Sequence, residues 1–427
     1  DQVGTLLNQT ETHLEALGRD AACFAAEVES DSLFGRGLGK KLQDALRVCE
    51  ALARKFDCVV ANPPYMGSSS FSPFMSKWIK KNYPDVKSDL CTCFIERAFS
   101  LVKPCGYPTL ITMQSWMFLG SFEKMRTKLI AEHSIVSMAH IGARGFDSIG
   151  GEIVSTTATV FAAGQPGVDG VYLRLVDPVG EAAKRAAARE AIANPECGYF
   201  YRRNAKTFTQ IPGTPIAYWI GAGAYGAFKN GISLADVAKT RKGMFTGNND
   251  RFLRFWHEVS SGPIGADYKF YSKGGSFRRW YGNRDYVVRW SNDGEEIKAY
   301  PGSGNINEDD YFKPCLCWSL ITSGDISFRS LNSTEFVVGD AGPACYPLYG
   351  SSRYLLALLN SSPIRFLSKA INPTLNWSAG VVGSFPVLQC ETALEEVDML
   401  VDELQFHSKL DWDSFETSWD FKRHPLL

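Results

Sequence analysis

Four consecutive residues, Asn62, Pro63, Pro64 and Tyr65, close an apolar run in the stretch FDCVVANPPYMG, residues 56–67. Each proline lacks an N–H and fixes its own φ, and the first of them pushes Asn62 toward an extended backbone. The result is a rigid loop that offers hydrogen-bond acceptors and few donors. The Asn62 amide oxygen and the Pro63 carbonyl can both accept from one exocyclic amine, while Tyr65 stacks on the ring that carries it. Such an amine is a poor nucleophile because its lone pair is delocalised into the ring. Accepting both of its hydrogens favours the pyramidal geometry that frees the lone pair, and against a sulfonium methyl no strong general base is required. The competing reading is a tight proline turn with no chemistry.

A loop of this kind needs a frame. In an open α/β sheet, ligands gather beyond the carboxyl ends of the strands, and ANPPY stands at that end of the predicted strand FDCVVA. Ahead of it, residues 1–55 read as helices, with Leu38, Leu42, Leu46, Cys49 and Leu52 forming one apolar stripe at spacings of three and four. Behind it come a helical stretch SDLCTCFIERAFSLV, the turn KPCG and a second strand YPTLITM, which together make a βαβ unit. A helix SFEKMRTKLIAEH follows, with Ser121 as its expected N-cap. Three strands, IVSMAHIG, GEIVSTTATVFAAG and DGVYLRLVD, come next without helices between them and predict an antiparallel meander. The Ala-rich helix EAAKRAAAREAIA then stops at NP, and the chain turns toward Gly, aromatic and basic residues. This change puts a domain boundary between about Asn194 and Ser233. The expected map is a helical lead-in over 1–55, an α/β half-domain over 56–195, a second α+β domain over 230–390 and the start of a further region over 391–427.

With 427 residues, 45% of them hydrophobic and 13% aromatic, the chain can build two or three cores. Its net charge of −1 does not speak to partners, since a near-neutral total can hide a basic face. Between Lys239 and Trp290 eleven Lys/Arg stand against four Asp/Glu, interleaved with twelve aromatic residues. That mixture suits a surface that neutralises phosphates and contacts bases; a solvated charged face over an aromatic core would read the same way. The eleven cysteines are scattered, and the CxC pairs Cys91/Cys93 and Cys315/Cys317 lack nearby histidines, so reduced, mostly buried thiols and no metal site are expected. No basic segment followed by an apolar core opens the chain, and the uncharged stretch between Lys206 and Lys229 is broken by prolines and glycines. A soluble, cytoplasmic protein without a membrane span is expected.

An Asn-Pro-Pro-Tyr loop at a strand end resembles the catalytic motif of amino-methyltransferases that use S-adenosylmethionine, adenine-N6 DNA methyltransferases in particular. The segments TGNNDRFLRFW, KGGSFRRWYGNRDYVVRW, YLLALLNS and NPTLNW resemble the target-recognition half of the large adenine methyltransferases of BREX phage-defence systems (the PglX family). NPPYMG, KSDLCTCFIERAFSLVKPCGYPTLITMQSWMF and FETSWDFKRHPLL extend the likeness over nearly the whole chain. The resemblance implies a Rossmann-like methyltransferase sheet ending in antiparallel strands, followed by a target-recognition domain. It implies that Asn62, Pro63, Pro64 and Tyr65 are catalytic, that S-adenosylmethionine is the cofactor, and that duplex DNA and other phage-defence proteins are partners. The target adenine would be extruded from the duplex at a cost of a few kcal/mol. Phosphate or base contacts would come from Arg241, Lys242, Arg251, Arg254, Lys273, Arg278, Arg279 and Arg284.

Glutamine and guanine amino-methyltransferases resemble the tetrapeptide too, so action on a protein or RNA amine, and a recognition module without catalysis, stay open as alternatives. One departure from the family stands out. FGRGLG, residues 34–39, looks like a cofactor-binding glycine turn, but EVESDSL before it is no apolar strand. The segments that cradle the cofactor are therefore expected to lie before residue 1, with the C-terminus also cut, and only Phe56 and Asp57 are left as candidates to border the cofactor.

Overall fold

The computed structural model describes residues 41, 44–45, 47–147, 154–304, 307–332, 335–372, 374–388 and 391–427. FGRGLG, with Leu38, Leu42 and Leu46 of the predicted stripe, lies outside the described residues; 47–53 are helical. The chain divides into two compact units, one running to Trp219 and one covering Ile220–Leu427.

In the first unit the apolar run Phe56–Ala61 is strand β1 and leads into helices α1 (Pro73–Asn82) and α2 (Leu90–Leu101). Ser72 caps α1 by accepting from the Met75 N–H, and Pro73 takes the first helical position, where no N–H is needed. Asp89 caps α2 by accepting from the Cys91 N–H at 2.9 Å. The sheet continues with β2 (Val102–Met113), helix α3 (Glu123–Glu132), β3 (Ser134–Gly142), β4 (Thr156–Ala162), β5 (Asp169–Arg174), helix α4 (Glu181–Ala193) and β6 (Phe200–Asn204). Ser121 is not the cap of α3: it lies in a 3₁₀ turn, Gly120–Phe122, that runs straight into the helix and leaves Phe122 at the boundary.

The strand order is β1-β2-β4-β3-β5-β6. β1 and β2 run parallel, with Ala61 opposite Leu110. The expected meander is replaced by an insertion: β4 lies between β2 and β3, antiparallel to both, and β5 crosses to the far side of β3 and runs parallel to it. A strand with Thr156, Thr157 and Thr159 all buried can pair along both edges, and sequence adjacency does not decide which edges it takes. β5 approaches β3 so closely that a Cβ on Gly170 would stand 2.2 Å from the Ile135 carbonyl oxygen; only glycine fits there. Buried Arg126 on α3 ties the unit together, donating to the carbonyls of Trp116 (2.8 Å), Leu119 (2.8 Å) and Thr214 (2.9 Å).

The second unit has two four-stranded sheets. One is ordered Phe336–Val338, Tyr268–Ser272, Tyr286–Arg289, Leu253–Phe255, and the other Phe328–Leu331, Cys315–Trp318, Ala344–Pro347, Ala238–Arg241. Met244, Phe252, Tyr271, Trp290 and Val337 form a core on the first sheet. The segment 391–427, expected to open a further region, is packed into this unit: the helix Leu394–Asp413 lies on Ser352–Asn360, and Trp256 donates to the Thr417 carbonyl at 2.8 Å. Among the described residues the cysteines are free, with Cys91, Cys93, Cys315, Cys317 and Cys345 buried, and no helix is long and apolar enough to cross a membrane.

Candidate functional site

Asn62 follows β1 directly at its carboxyl end, exposed, with Pro63 buried behind it. The loop is clamped from below, since the Leu90 N–H donates to the Met66 carbonyl at 2.9 Å and the Ser68 N–H to the Ser88 carbonyl at 3.0 Å. The start of α2 therefore fixes the loop that β1 delivers. Tyr65 Oη donates to Asn62 Oδ1 at 3.1 Å and lies 3.5 Å from the Ile111 carbonyl of β2. Burial, with the Cys91 thiol beside it, pushes the Tyr65 phenol above its ordinary range, so it stays a neutral donor at physiological pH. Asn62, Pro63 and Tyr65 thus share one small surface whose oxygens accept and whose backbone has few N–H groups to offer.

Phe56 and Asp57 do not join this surface. They begin β1 at its amino end, and at 3.2–3.4 Å per residue Asp57 is about 16 Å from Asn62 along the strand. The Asp57 carboxylate is held there by Lys103, 3.0 Å from each of its oxygens. A strand has two ends, and the expectation for these two residues rested on sequence proximity alone.

A polar relay at the same carboxyl end of the sheet escaped the sequence reading. Gln114, the residue after β2, places Oε1 2.7 Å from His140 Nε2, and His140 Nδ1 lies 2.9 Å from Tyr218 Oη. An amide oxygen only accepts, so His140 donates from Nε2 and accepts a hydrogen bond from the Tyr218 hydroxyl at Nδ1. His140, on β3, is 5% exposed, and its pKa is pushed down to about 3 by burial, with Arg174 and Lys184 adding to the effect. The imidazole is neutral, as this bonding needs. Tyr172 stacks on Tyr218 at 4.8 Å between ring centroids and fixes the far end. The only sequence signal was a glutamine at the end of an apolar strand; its partners are distant in the chain.

One face of the sheet carries an open cavity of about 700 Å³, running from Val60 and Asn62 across Ile111, Met138 and Val160 to Ile192 and Phe200. Its lining is chiefly apolar and Asn62 stands at its rim.

The basic residues of the second unit divide into two groups. Arg251 bonds Glu296 at 2.6 Å and shares that carboxylate with Arg289. Arg278 bonds Asp411 at 2.9 Å and lies over Trp412; Arg241 approaches Asp310 at 3.4 Å; Arg254 donates to the carbonyls of Asp250 and Leu253. Arg284 is packed over Tyr281 at 3.9 Å and Phe336 at 5.1 Å, and burial lowers its pKa; it braces the unit. By contrast, the side chains of Lys242, Lys273 and Arg279 form no hydrogen bond or ion pair with the described residues and lie over the rings of Phe245, Tyr286 and Phe277.

Residues 21–146 match the family of the Eco57I restriction-modification methylase. The chain is 36% identical over 408 residues to the adenine-specific methyltransferase PglX of Lacticaseibacillus casei (strain Zhang), covering 91% of this chain and 34% of that protein. It is 38% identical over 389 residues to the adenine-specific methyltransferase BrxX of Escherichia coli O9:H4 (strain HS), covering 88% of this chain and 31% of that protein. The chain spans about a third of the length of these curated relatives. Among solved structures, the Type IIL restriction-modification enzyme MmeI in complex with DNA matches with a TM-score of 0.58 at 14% identity, covering 89% of this chain and 52% of that one. A nuclease-deletion mutant of the Type ISP enzyme LlaGI with a DNA substrate mimic matches at 0.50 and 11% identity, covering 87% and 43%. These two likenesses concern the fold.

Proposed function

We propose, on the premise that some nine-tenths of this chain is similar in sequence to adenine-specific methyltransferases of the PglX and BrxX kind, that it serves a DNA methyltransferase acting on the N6 amine of adenine. The first unit presents the amine, as part of a Rossmann-like sheet of the S-adenosylmethionine-dependent type. The second unit is the target-recognition domain, the protein works in the cytoplasm, and the setting is phage defence of the BREX kind. The observation that carries the reading is the acceptor surface of the Asn62 loop at the open carboxyl end of β1, with Tyr65 beside it.

Asn62 Oδ1 and the Pro63 carbonyl accept the two amine hydrogens of an extruded adenine, and Tyr65 leaves its hydrogen bond to Asn62 to stack on the ring. A duplex base cannot reach this loop without leaving the stack. S-adenosylmethionine, when bound, supplies the electrophilic methyl. The donors and acceptors of the loop fit the methyl acceptor; Phe56 and Asp57, at the opposite end of β1, do not fit as holders of the cofactor. Lys242, Lys273 and Arg279 are the readiest phosphate contacts, with the paired arginines joining when their carboxylates are displaced.

The test is methyl incorporation into duplex DNA by the intact protein with Asn62→Ala beside it, followed by sequencing that detects N6-methyladenine. Methyl at adenine in a fixed sequence, absent from the variant, supports the reading. DNA binding without transfer in the wild type would sink it in favour of a recognition module.

A further inference from the structure

The acceptor surface of the Asn62 loop satisfies an amine, but its one side-chain donor, the Asn62 Nδ2 amide, can serve only one of the two ring nitrogens, N1 and N7, that flank the amine of adenine. Both are acceptors. Extrusion strips N1 of its Watson–Crick partner and N7 of groove water, and a buried acceptor without a donor is unfavourable. Pro63 and Pro64 have no N–H to give. The second ring nitrogen calls for a donor from a neighbouring strand end.

Gln114 is that neighbour. A contiguous wall joins it to the loop: Tyr65 reaches the Ile111 carbonyl of β2, the Cys91 sulfur sits against Tyr65 and takes a hydrogen bond from the Met113 backbone, and Gln114 follows. Its own N–H is pinned to the Ser155 carbonyl at 2.9 Å. The side-chain oxygen is committed to His140 at 2.7 Å, whereas the amide nitrogen bonds no other described residue. Glutamine alone is ambivalent, since its amide can turn over and present either group. Here the amide turns its oxygen toward His140 and its nitrogen away, with the Nε2–H tautomer of His140 completing the chain to the Tyr218 hydroxyl.

We propose that Gln114, oriented by His140, is a specificity-determining residue that donates its amide N–H to a ring nitrogen beside the target amine. This rests on the adenine-methylation reading above and deepens it. A base whose amine is flanked by a ring N–H, as in guanine, meets donor against donor at Gln114 and is rejected.

The test uses the intact protein and duplexes carrying its methylated sequence with the target adenine replaced by 7-deazaadenine or 1-deazaadenine. Gln114→Leu removes the donor and also strips His140 of its acceptor; Gln114→Glu removes the donor while keeping an oxygen for His140, and so separates recognition from folding. The expected result is a loss of roughly tenfold in kcat/KM for the wild type on one analogue, naming N7 or N1. Gln114→Glu loses about as much on adenine and nothing further on that analogue. No penalty for either analogue in the wild type, or the same penalty with and without the Gln114 amide, overturns the assignment while leaving adenine methylation standing. A wild type that methylates no adenine in any duplex overturns both.

Discussion

The Asn62 loop and the basic stretch of the second unit differ in how their functional groups are held. In the loop, proline geometry and a clamp onto the start of α2 set a few backbone and amide oxygens at a strand end, and Asn62 stays exposed. In the basic stretch, most cations already have partners in Glu296, Asp411, Asp310 or main-chain carbonyls. A count of charges measures what a surface contains, and the geometry decides what it has free to give.

The sharpest way to break this contrast is Asn62→Ala. Removing one preorganised group costs on the order of 100-fold or more in turnover, while the dissociation constant for duplex DNA stays within about twofold; equal losses in both would mean that the loop binds DNA instead of acting on it. A second prediction concerns the relay. The native pKa of His140, about 3, lies below the unfolded value of about 6.5, so the folded state binds fewer protons. The stability this contributes is fully present above about pH 6.5 and is lost as pH falls toward 3, by up to about 1.4 kcal/mol per pH unit. Thermal midpoints at pH 7.5 and pH 5 should fall further in the wild type than in His140→Asn, and parallel falls would refute the relay as drawn.

Smaller effects sharpen the other half of the comparison. Lys242→Ala should weaken duplex binding a few-fold and lower the salt slope by about one, whereas Arg251→Ala, whose partner is Glu296, should do less. Asp411→Asn releases Arg278 from an exposed pair of the kind worth about 0–1 kcal/mol, and should strengthen binding about twofold. A titration at two salt concentrations checks all three variants.

Much of the first unit was legible. The apolar runs and helical spacings of β1, α2 and β2 are local, and so is the loop between the first two. The insertion of β4 was not legible, because which edge a strand takes is settled by partners far away in the chain. The relay is hidden for the same reason: Gln114, His140 and Tyr218 meet only once β2, β3 and the segment after β6 have packed. Ser121 failed as a cap because a 3₁₀ turn carried the helix past it. Among the basic residues, type and number were visible, whereas the carboxylate opposite each one was not.

Within the described residues β1 pairs only with β2, and Val60 is 77% exposed. In hydrogen exchange, amides protected on one side alone open at a lower free energy than those of a strand paired on both. Where nothing is paired along that edge, the alternate β1 amides that point away from β2 exchange among the earliest of the sheet; where a strand is laid there, they are protected. The strand that ends in Asn62 would then be the one whose protection reports most directly on whatever is laid along its open edge.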